Sequence, residues 1–400
     1  IVYEIKYIII LMSKTRKKKY LFQKKVRKTR KTRKIKKKLN KTSNKTSSKT
    51  SPKTSTPKIQ IVKNLQGCNI EVLSKKSQNG GFQINLKIKD EPYKREVKRK
   101  YQNWFYFGAN SIKDTNVQYT IHDVNNYDDD WKGFTTCYSY DNVNWKRVKT
   151  SVKTQKKKTN ISWKFKSTED KVWFAYYPPY PFTRVQKLFG KSKIIGRSEK
   201  GRPIYMEKVG NGETKVWIIC GQHPGETINS WILEGFMEQL VERKSLYKKY
   251  TFFVVPCINP DGKEMGHWYT NAKGVNLNRD WLDFKAKETQ VVKKQFLKYG
   301  FDLVIDLHGD EGANKHFLAH SPKKKHPRHD EINERLNKKN KNFQLKNYYI
   351  KNGHNQTLAN TLDEFTTGIT VEGAMKHKLG KHKTIQDEAM QIGRDLLDSL

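Results

Sequence analysis

Four residues combine the right types and spacing for hydrolytic chemistry. His223 and Glu226 lie in Gln222-His223-Pro224-Gly225-Glu226, His308 lies in Asp306-Leu307-His308-Gly309-Asp310-Glu311, and Glu372 ends Ile369-Thr370-Val371-Glu372. Each segment follows a short apolar run, so three separate predicted strands end in His or Glu. Two imidazoles and one carboxylate, as in His223, Glu226 and His308, form a ligand set for one catalytic zinc per chain and leave the fourth tetrahedral position to water. Zinc lowers the pKa of such a water towards about 7 and polarises a carbonyl. A further carboxylate must then take the water proton and pass it to the leaving amine, and Glu372 is the candidate. His-x-x-Glu alone is a weak motif. Its weight here comes from the strand-end placement of all the segments together.

The elements that must position these residues are readable from about Thr183 onward. Lys215 to Cys220, Tyr250 to Cys257, Leu303 to Leu307 and Ile369 to Val371 read as strands. Ser230 to Lys244, Lys285 to Tyr299, Asp330 to Lys338, Thr357 to Thr366 and Thr384 to Leu400 read as helices, the second stopped by Gly300. Strands alternating with helices predict an α/β domain over 183–400, with a mixed, largely parallel sheet flanked by helices. Ligand sites in such sheets lie at the carboxyl ends of the strands. Upstream, residues 61–182 carry short aromatic and β-branched runs separated by turn residues, which predicts an antiparallel β-sandwich domain. Its Trp and Tyr residues are read as core. Tyr176-Tyr177-Pro178-Pro179-Tyr180-Pro181-Phe182 is an extended exit segment.

Charge sets the remaining limits. The chain has 400 residues, with 81 Lys and Arg against 39 Asp and Glu. Ser13 to Gln60 holds 21 basic residues and no acidic one, including a four-residue Lys-Thr-Ser repeat from Lys41 to Ser55. Such a segment buries too little apolar surface to offset its chain entropy, so residues 1–60 are expected to form a disordered basic tail. Residues 1–11 are read as upstream of a start at Met12. Beyond Gln60 there are still 59 basic and 38 acidic residues, a net +21, which suits acidic substrates or partners. The tail could also hold nucleic acid or another polyanion, or serve as a nuclear address. Cys68, Cys137, Cys220 and Cys257 form no CxxC and are read as buried free thiols in a reducing compartment. No run is long enough to span a bilayer, and the apolar start precedes its basic cluster, the reverse of a signal peptide. A cytoplasmic protein with no membrane partner is expected, entering the nucleus if the tail acts as an address.

Taken together, these segments resemble the zinc carboxypeptidases, specifically the cytosolic carboxypeptidase branch with its N-terminal β-sandwich. The resemblance runs through Tyr176-Tyr177-Pro178-Pro179-Tyr180, Gly201-Arg202, Gln222 to Thr227, Asn259-Pro260-Asp261-Gly262, Gly274 to Trp281, Asp306 to Glu311 and Thr370-Val371-Glu372. It covers roughly Asn103 to Leu400. It implies hydrolysis of a C-terminal peptide bond, with His223, Glu226 and His308 as zinc ligands and Glu372 as general base. Asn278 and Arg279 match the pair that holds the substrate's terminal carboxylate, for which Arg offers a planar bidentate fork. Asn276 is a candidate to orient His223. The branch removes glutamate or aspartate from acidic protein tails, tubulin-like tails among them. Contacts to the terminal side chain would come from Gln344 to Phe365, with Lys346, Lys351, His354 and Thr357 as candidates.

One position departs from the pattern. Where relatives carry an oxyanion-stabilising Arg before Thr-Asn-Ala, this chain has Tyr269 before Thr270-Asn271-Ala272. Either Tyr269 takes the role, or Lys273 or His267 substitutes, or the enzyme is slow. Two other readings stand beside the enzyme: a weak or inactive relative that binds acidic tails, which Tyr269 supports, and a basic protein associated with nucleic acid, which the tail alone supports.

Overall fold

The computed structural model describes residues 59–78, 80–92, 103–124, 130–156, 158–320, 327–345, 348–349, 357–362, 366–376 and 382–400. The expected basic tail lies outside the described residues, except for its last two: Ile59 is buried and Gln60 opens the first strand, so the tail ends before Ile59 and not after Gln60. The tail's polyanion-binding and nuclear roles lie outside them too, as do Lys346, Lys351 and His354.

Alternating apolar residues build the N-terminal domain. Its strands are β1 (Gln60–Val62), β2 (Glu71–Gln78), β3 (Gly81–Lys87), β4 (Tyr106–Asn110), β5 (Asn116–Val124), β6 (Thr135–Ser139), β7 (Lys146–Lys149), β8 (Ser151–Gln155), β9 (Lys158–Lys166) and β10 (Lys171–Ala175). They form two five-stranded sheets, ordered β1-β4-β10-β6-β7 and β2-β3-β5-β9-β8. Over residues 117–121 of β5 and 159–163 of β9 every second residue is buried, so Val117, Tyr119, Ile121, Ile161 and Trp163 face inward. There Trp163 stacks on Tyr119 and Phe105, and Phe174 packs beside them. The predicted sandwich is antiparallel with one exception: β3 and β5 run parallel. The chain between them passes through β4 in the other sheet, so it re-enters in the same direction.

The second domain is a mixed eight-stranded sheet. Its strands are β11 (Lys193–Arg197), β12 (Pro203–Val209), β13 (Thr214–Cys220), β14 (Tyr250–Val255), β15 (Leu303–Asp310), β16 (Phe317–His320), β17 (Tyr348–Tyr349) and β18 (Thr367–Ala374), ordered β11-β12-β14-β13-β15-β18-β16-β17. The central four, β14, β13, β15 and β18, are parallel. β13 and β14 read as nearly continuous apolar runs because helices cover both faces of the sheet. The helices are α1 (Phe182–Phe189), α2 (Ile228–Glu242), α3 (Pro260–Met265), α4 (Lys287–Tyr299), α5 (Pro327–Lys339), α6 (Leu358–Leu362) and α7 (Ile385–Leu397). One buried cluster joins Trp217, Ile219, Phe253 and Val255 of the sheet to Val292 and Phe296 of α4 and Leu358 of α6. On the other face α2 packs against β15 and β18, with α7 crossing over it.

That crossing needs two glycines. A Cβ at Gly235 would lie 1.8 Å from the Met390 carbonyl oxygen, and one at Gly393 would lie 1.9 Å from that of Ile232. The helix backbones therefore touch without intervening side chains. Gly235→Ala must separate them, and a loss of about 3 kcal/mol is expected, near the upper end for overpacking. A urea unfolding midpoint equal to that of the unmodified protein would contradict this.

The two domains are stitched together beside the carboxyl ends of the strands. Pro178 O accepts hydrogen bonds from Thr227 Oγ1 (3.0 Å) and Trp231 Nε1 (3.0 Å), and Tyr180 donates to Glu234 Oε2 (2.9 Å). Arg147 Nη2 donates to Met375 O (2.7 Å). The Tyr-Pro-Pro-Tyr segment thus seats the sandwich on the N-terminal end of α2, directly after Glu226. Cys137, Cys220 and Cys257 are buried and free; Cys68 is free but only partly buried, since it lies in a turn ahead of β2. Among the described residues no helix is long and apolar enough to cross a membrane.

Candidate functional site

The turn after β13 carries His223 and Glu226, while His308 and Glu372 lie within strands. β15 runs two residues past His308 and β18 two residues past Glu372, so these two do not terminate their strands as the sequence suggests. Parallel pairing places His308 opposite Glu372. The ligating atoms of His223, Glu226 and His308 all lie within 4.8 Å of one another, and the three residues are buried.

Their hydrogen bonds test whether a cation fits. His223 Nε2 faces Asn276 Oδ1 at 3.0 Å, and His308 Nε2 faces Asp306 Oδ2 at 3.0 Å. Each acceptor takes a ring N–H, an assignment made from the partners, which leaves both Nδ1 lone pairs directed inward. Those nitrogens face Glu226, His223 at 2.8 Å from Oε1 and His308 at 3.0 Å from Oε2. Lone pairs of two neutral imidazoles and a carboxylate repel unless a positive charge, a proton or a metal ion, sits among them. The donor set therefore fits zinc, which His223, Glu226 and His308 would hold. Charge already dominates burial here. Burial pushes the Glu226 carboxyl up, but His223 and His308 outweigh it and bring it down to about 2. Burial pushes His308 down, but Asp306 and Glu226 outweigh it and hold the imidazole well above its ordinary value.

A chain of polar groups fixes the His308 ring. Trp281 Nε1 donates to Gln222 Oε1 (2.7 Å), and Gln222 Nε2 donates to Asp306 Oδ2 (2.5 Å). Sequence reasoning assigned no role to Asp306 or Gln222. The period-2 signal was available for Asp306, because residues two apart share a strand face and Asp306 precedes His308 by two. Asn276 does orient His223, and its Oδ1 also accepts from Asn278 N (3.0 Å).

A cavity of about 190 Å³ opens over the three ligands. It is lined by Tyr269, Asn278, Arg279, Asp310, Glu311 and Glu372, with Thr357 in its wall. Asn278 and Arg279 sit on a short 3-10 turn, Leu277–Arg279, where Leu358 N donates to Asn278 Oδ1 (3.2 Å). Of the candidates for the Arg position, Tyr269 is the one at the site, its ring centroid 4.2 Å from that of His223. Lys273 is mostly exposed and pairs with Glu199 at 2.9 Å, while the His267 ring faces Thr270 O at 3.1 Å. Neither lines the cavity. Burial pushes the Glu372 carboxyl well above the ordinary range, and Glu226, Asp310 and Asp306 add to this while His308 opposes it. Burial and the neighbouring Asp310, Asp130 and Glu226 do the same to Glu311.

Residues 189–383 match the family model for zinc carboxypeptidase, and residues 61–177 match that for the cytosolic carboxypeptidase N-terminal domain. An uncharacterized protein of Zymomonas mobilis is 30% identical over 279 residues, covering 65% of this chain and 70% of that protein. Cytosolic carboxypeptidase 2 of Mus musculus is 24% identical over 315 residues, covering 65% of this chain but 36% of the relative. The chain thus spans about a third of the length of the curated cytosolic carboxypeptidases it matches. Among solved structures, a metallo-carboxypeptidase from Burkholderia cenocepacia superposes with a TM-score of 0.75 at 25% identity, covering 85% of this chain and 97% of that one. A metallo-carboxypeptidase from Pseudomonas aeruginosa in complex with (2-guanidinoethylmercapto)succinic acid gives 0.72 at 25% identity, covering 85% and 98%.

Proposed function

The chain belongs to the zinc carboxypeptidase family, and from that premise we propose that it hydrolyses the C-terminal peptide bond of protein or peptide tails, acidic ones in particular. The observation that carries this reading is that Glu372, Asn278, Arg279 and Tyr269 all line the one cavity over His223, Glu226 and His308. Arg279 and Asn278 take the terminal carboxylate, which limits attack to the last peptide bond. Glu372 accepts a proton from the attacking water and delivers it to the leaving amine as the C–N bond breaks. Zinc, when bound, supplies Lewis acidity and an acidified water. The Tyr269 hydroxyl gives one neutral hydrogen bond to the carbonyl oxygen as negative charge builds on it.

The net +21 beyond residue 60 supports tails ending in Glu or Asp, as in deglutamylation, and residues 13–60 add non-specific attraction that weakens with salt. A second reading has its own observation. Asp310 and Glu311 line the same cavity, and among the described lining residues Arg279 is the one Lys or Arg. That wall suits a cationic terminal side chain, and the Pseudomonas relative holds a guanidino compound. Mass spectrometry of peptides ending in Glu, Asp, Lys or Leu, incubated with the zinc-loaded protein, decides between them. The acidic reading expects Glu or Asp to be released at least about tenfold faster than the others. Faster release of Lys would replace it with the second reading. No release from any peptide by a protein with bound zinc would end the enzyme reading.

Tyr269→Arg is expected to raise kcat several-fold with zinc content unchanged. A guanidinium brings to the developing oxyanion a charge that the phenol lacks. Lower turnover in a folded, zinc-loaded variant would show that the site is built around the phenol.

A further inference from the structure

We propose that Glu91, a residue of the N-terminal domain, is a positioning residue for the reaction: its carboxylate fixes the loop Trp268–Thr270 and thereby sets Tyr269 against His223. The proposal rests on the reading of Tyr269 as a hydrogen-bond donor in the active site.

Glu91 follows the last described strand of the first half of the sandwich and reaches across to a loop 177 to 179 residues further along the chain. Its Oε1 accepts from the backbone N–H of Trp268 and from that of Tyr269 (3.2 Å). Its Oε2 accepts from Tyr269 N (3.3 Å), Thr270 N (3.0 Å) and Thr270 Oγ1 (2.8 Å). Three successive N–H groups thus converge on one carboxylate, which makes the loop an anion-binding nest filled by a side chain of the other domain. Without that carboxylate, three backbone donors in a part-buried loop lose their partner.

The same loop is tied to the metal ligands. Gly225 N, one residue before Glu226, donates to Trp268 O at 3.1 Å. A Cβ on Gly225 would lie 2.5 Å from the Trp268 ring, so the two segments fit only because Gly225 has no side chain. The Trp268 indole packs edge-on against Tyr176 of the sandwich, with centroids 5.2 Å apart. Tyr269 sits between these anchors.

The physical need follows from the residue type. A guanidinium carries five donors and a full charge on a flexible stem, so it can find an oxyanion from an imperfect position. A phenol offers one neutral donor at the end of a rigid ring. It contributes only if its oxygen already lies where charge develops, and a misplacement of about 1 Å costs on the order of 100-fold. A tyrosine at this position therefore depends on a loop held still, and Glu91 holds it.

The test is a double-mutant cycle on the full chain, with kcat, KM, zinc stoichiometry and unfolding midpoint measured for Glu91→Ala, Glu91→Gln, Tyr269→Phe and the double variants. Glu91→Ala is expected to lower kcat at least about tenfold with KM moving less and zinc retained, and to lower the unfolding midpoint, because three backbone donors lose their acceptor. Glu91→Gln keeps one acceptor oxygen and should recover part of the loss. In the Tyr269→Phe background, Glu91→Ala should cost less than about threefold, because the group through which it acts is gone. Unchanged kcat in a folded Glu91→Ala protein, loss of zinc, or effects that multiply in the double variant would each overturn the proposal. If Glu91→Ala does not fold, the same cycle is run with Glu91→Gln. Full turnover in Tyr269→Phe would end both the donor reading and the proposal, while leaving the carboxypeptidase reading, which is judged by release of the terminal residue, intact.

Discussion

Glu372→Gln is expected to lower kcat by about 1,000-fold while leaving the fold and the zinc content unchanged, within the range for loss of a general acid–base group. Glu372 lies on β18 opposite His308, lines the cavity and is not among the three residues whose ligating atoms converge. Glutamine has the same shape and fits the same strand position, but its amide cannot accept the water proton. The comparison must include zinc stoichiometry, because a variant that had lost metal would be slow for another reason. Turnover within tenfold of the unmodified protein would mean that a different carboxylate moves the proton. Glu311 is then the one to replace, since it lines the same cavity.

His308→Ala is expected to remove both turnover and tight zinc binding, with zinc affinity falling by more than the 10- to 100-fold typical of losing a residue behind a ligand. A readout independent of catalysis is available. A metal that binds only the folded state raises the unfolding midpoint, by an amount that grows with the logarithm of its affinity. Zinc added to the metal-free protein should therefore raise the midpoint, and the same zinc should barely move that of His308→Ala. The variant also leaves Asp306 buried beside an empty space, still held by Gln222. It should consequently be less stable even without zinc, since a buried carboxylate that loses its partner is costly. A variant that kept its zinc response would show that His308 is not a ligand.

The residues of this site were legible in the sequence to different degrees. His223 and Glu226 are three apart on one turn, a weak motif by itself that gained its meaning from the segments carrying His308 and Glu372. Arg279 and Asn278 carried a role only through a family resemblance, because an Asn-Arg pair on a 3-10 turn has no periodicity of its own. Tyr269 stood out as a departure from that pattern. Whether Tyr269, Lys273 or His267 faced the metal depended on a loop conformation that no local pattern encodes. Glu91 carried no signal at all, since a single Glu before Pro92 reads as a solvated turn residue.

What the sequence determined by itself is the set of short-range facts. The apolar run Val216 to Cys220 and the run Leu303 to Leu307, broken only by Asp306, read as buried strands, and alternation in β5 and β9 reads as a sheet with one wet face. Their physical basis lies within a few residues, in the period of the element and the side of it that is apolar. Only the tertiary structure decided the register that sets His308 across from Glu372, the parallel entry of β5 beside β3, and the reach of Glu91 to Trp268–Thr270. Those depend on hydrogen bonds between segments far apart along the chain. A one-residue slip in β18 would turn Glu372 to the opposite face of the sheet with no change in local preference, so the packed fold alone holds it at the site.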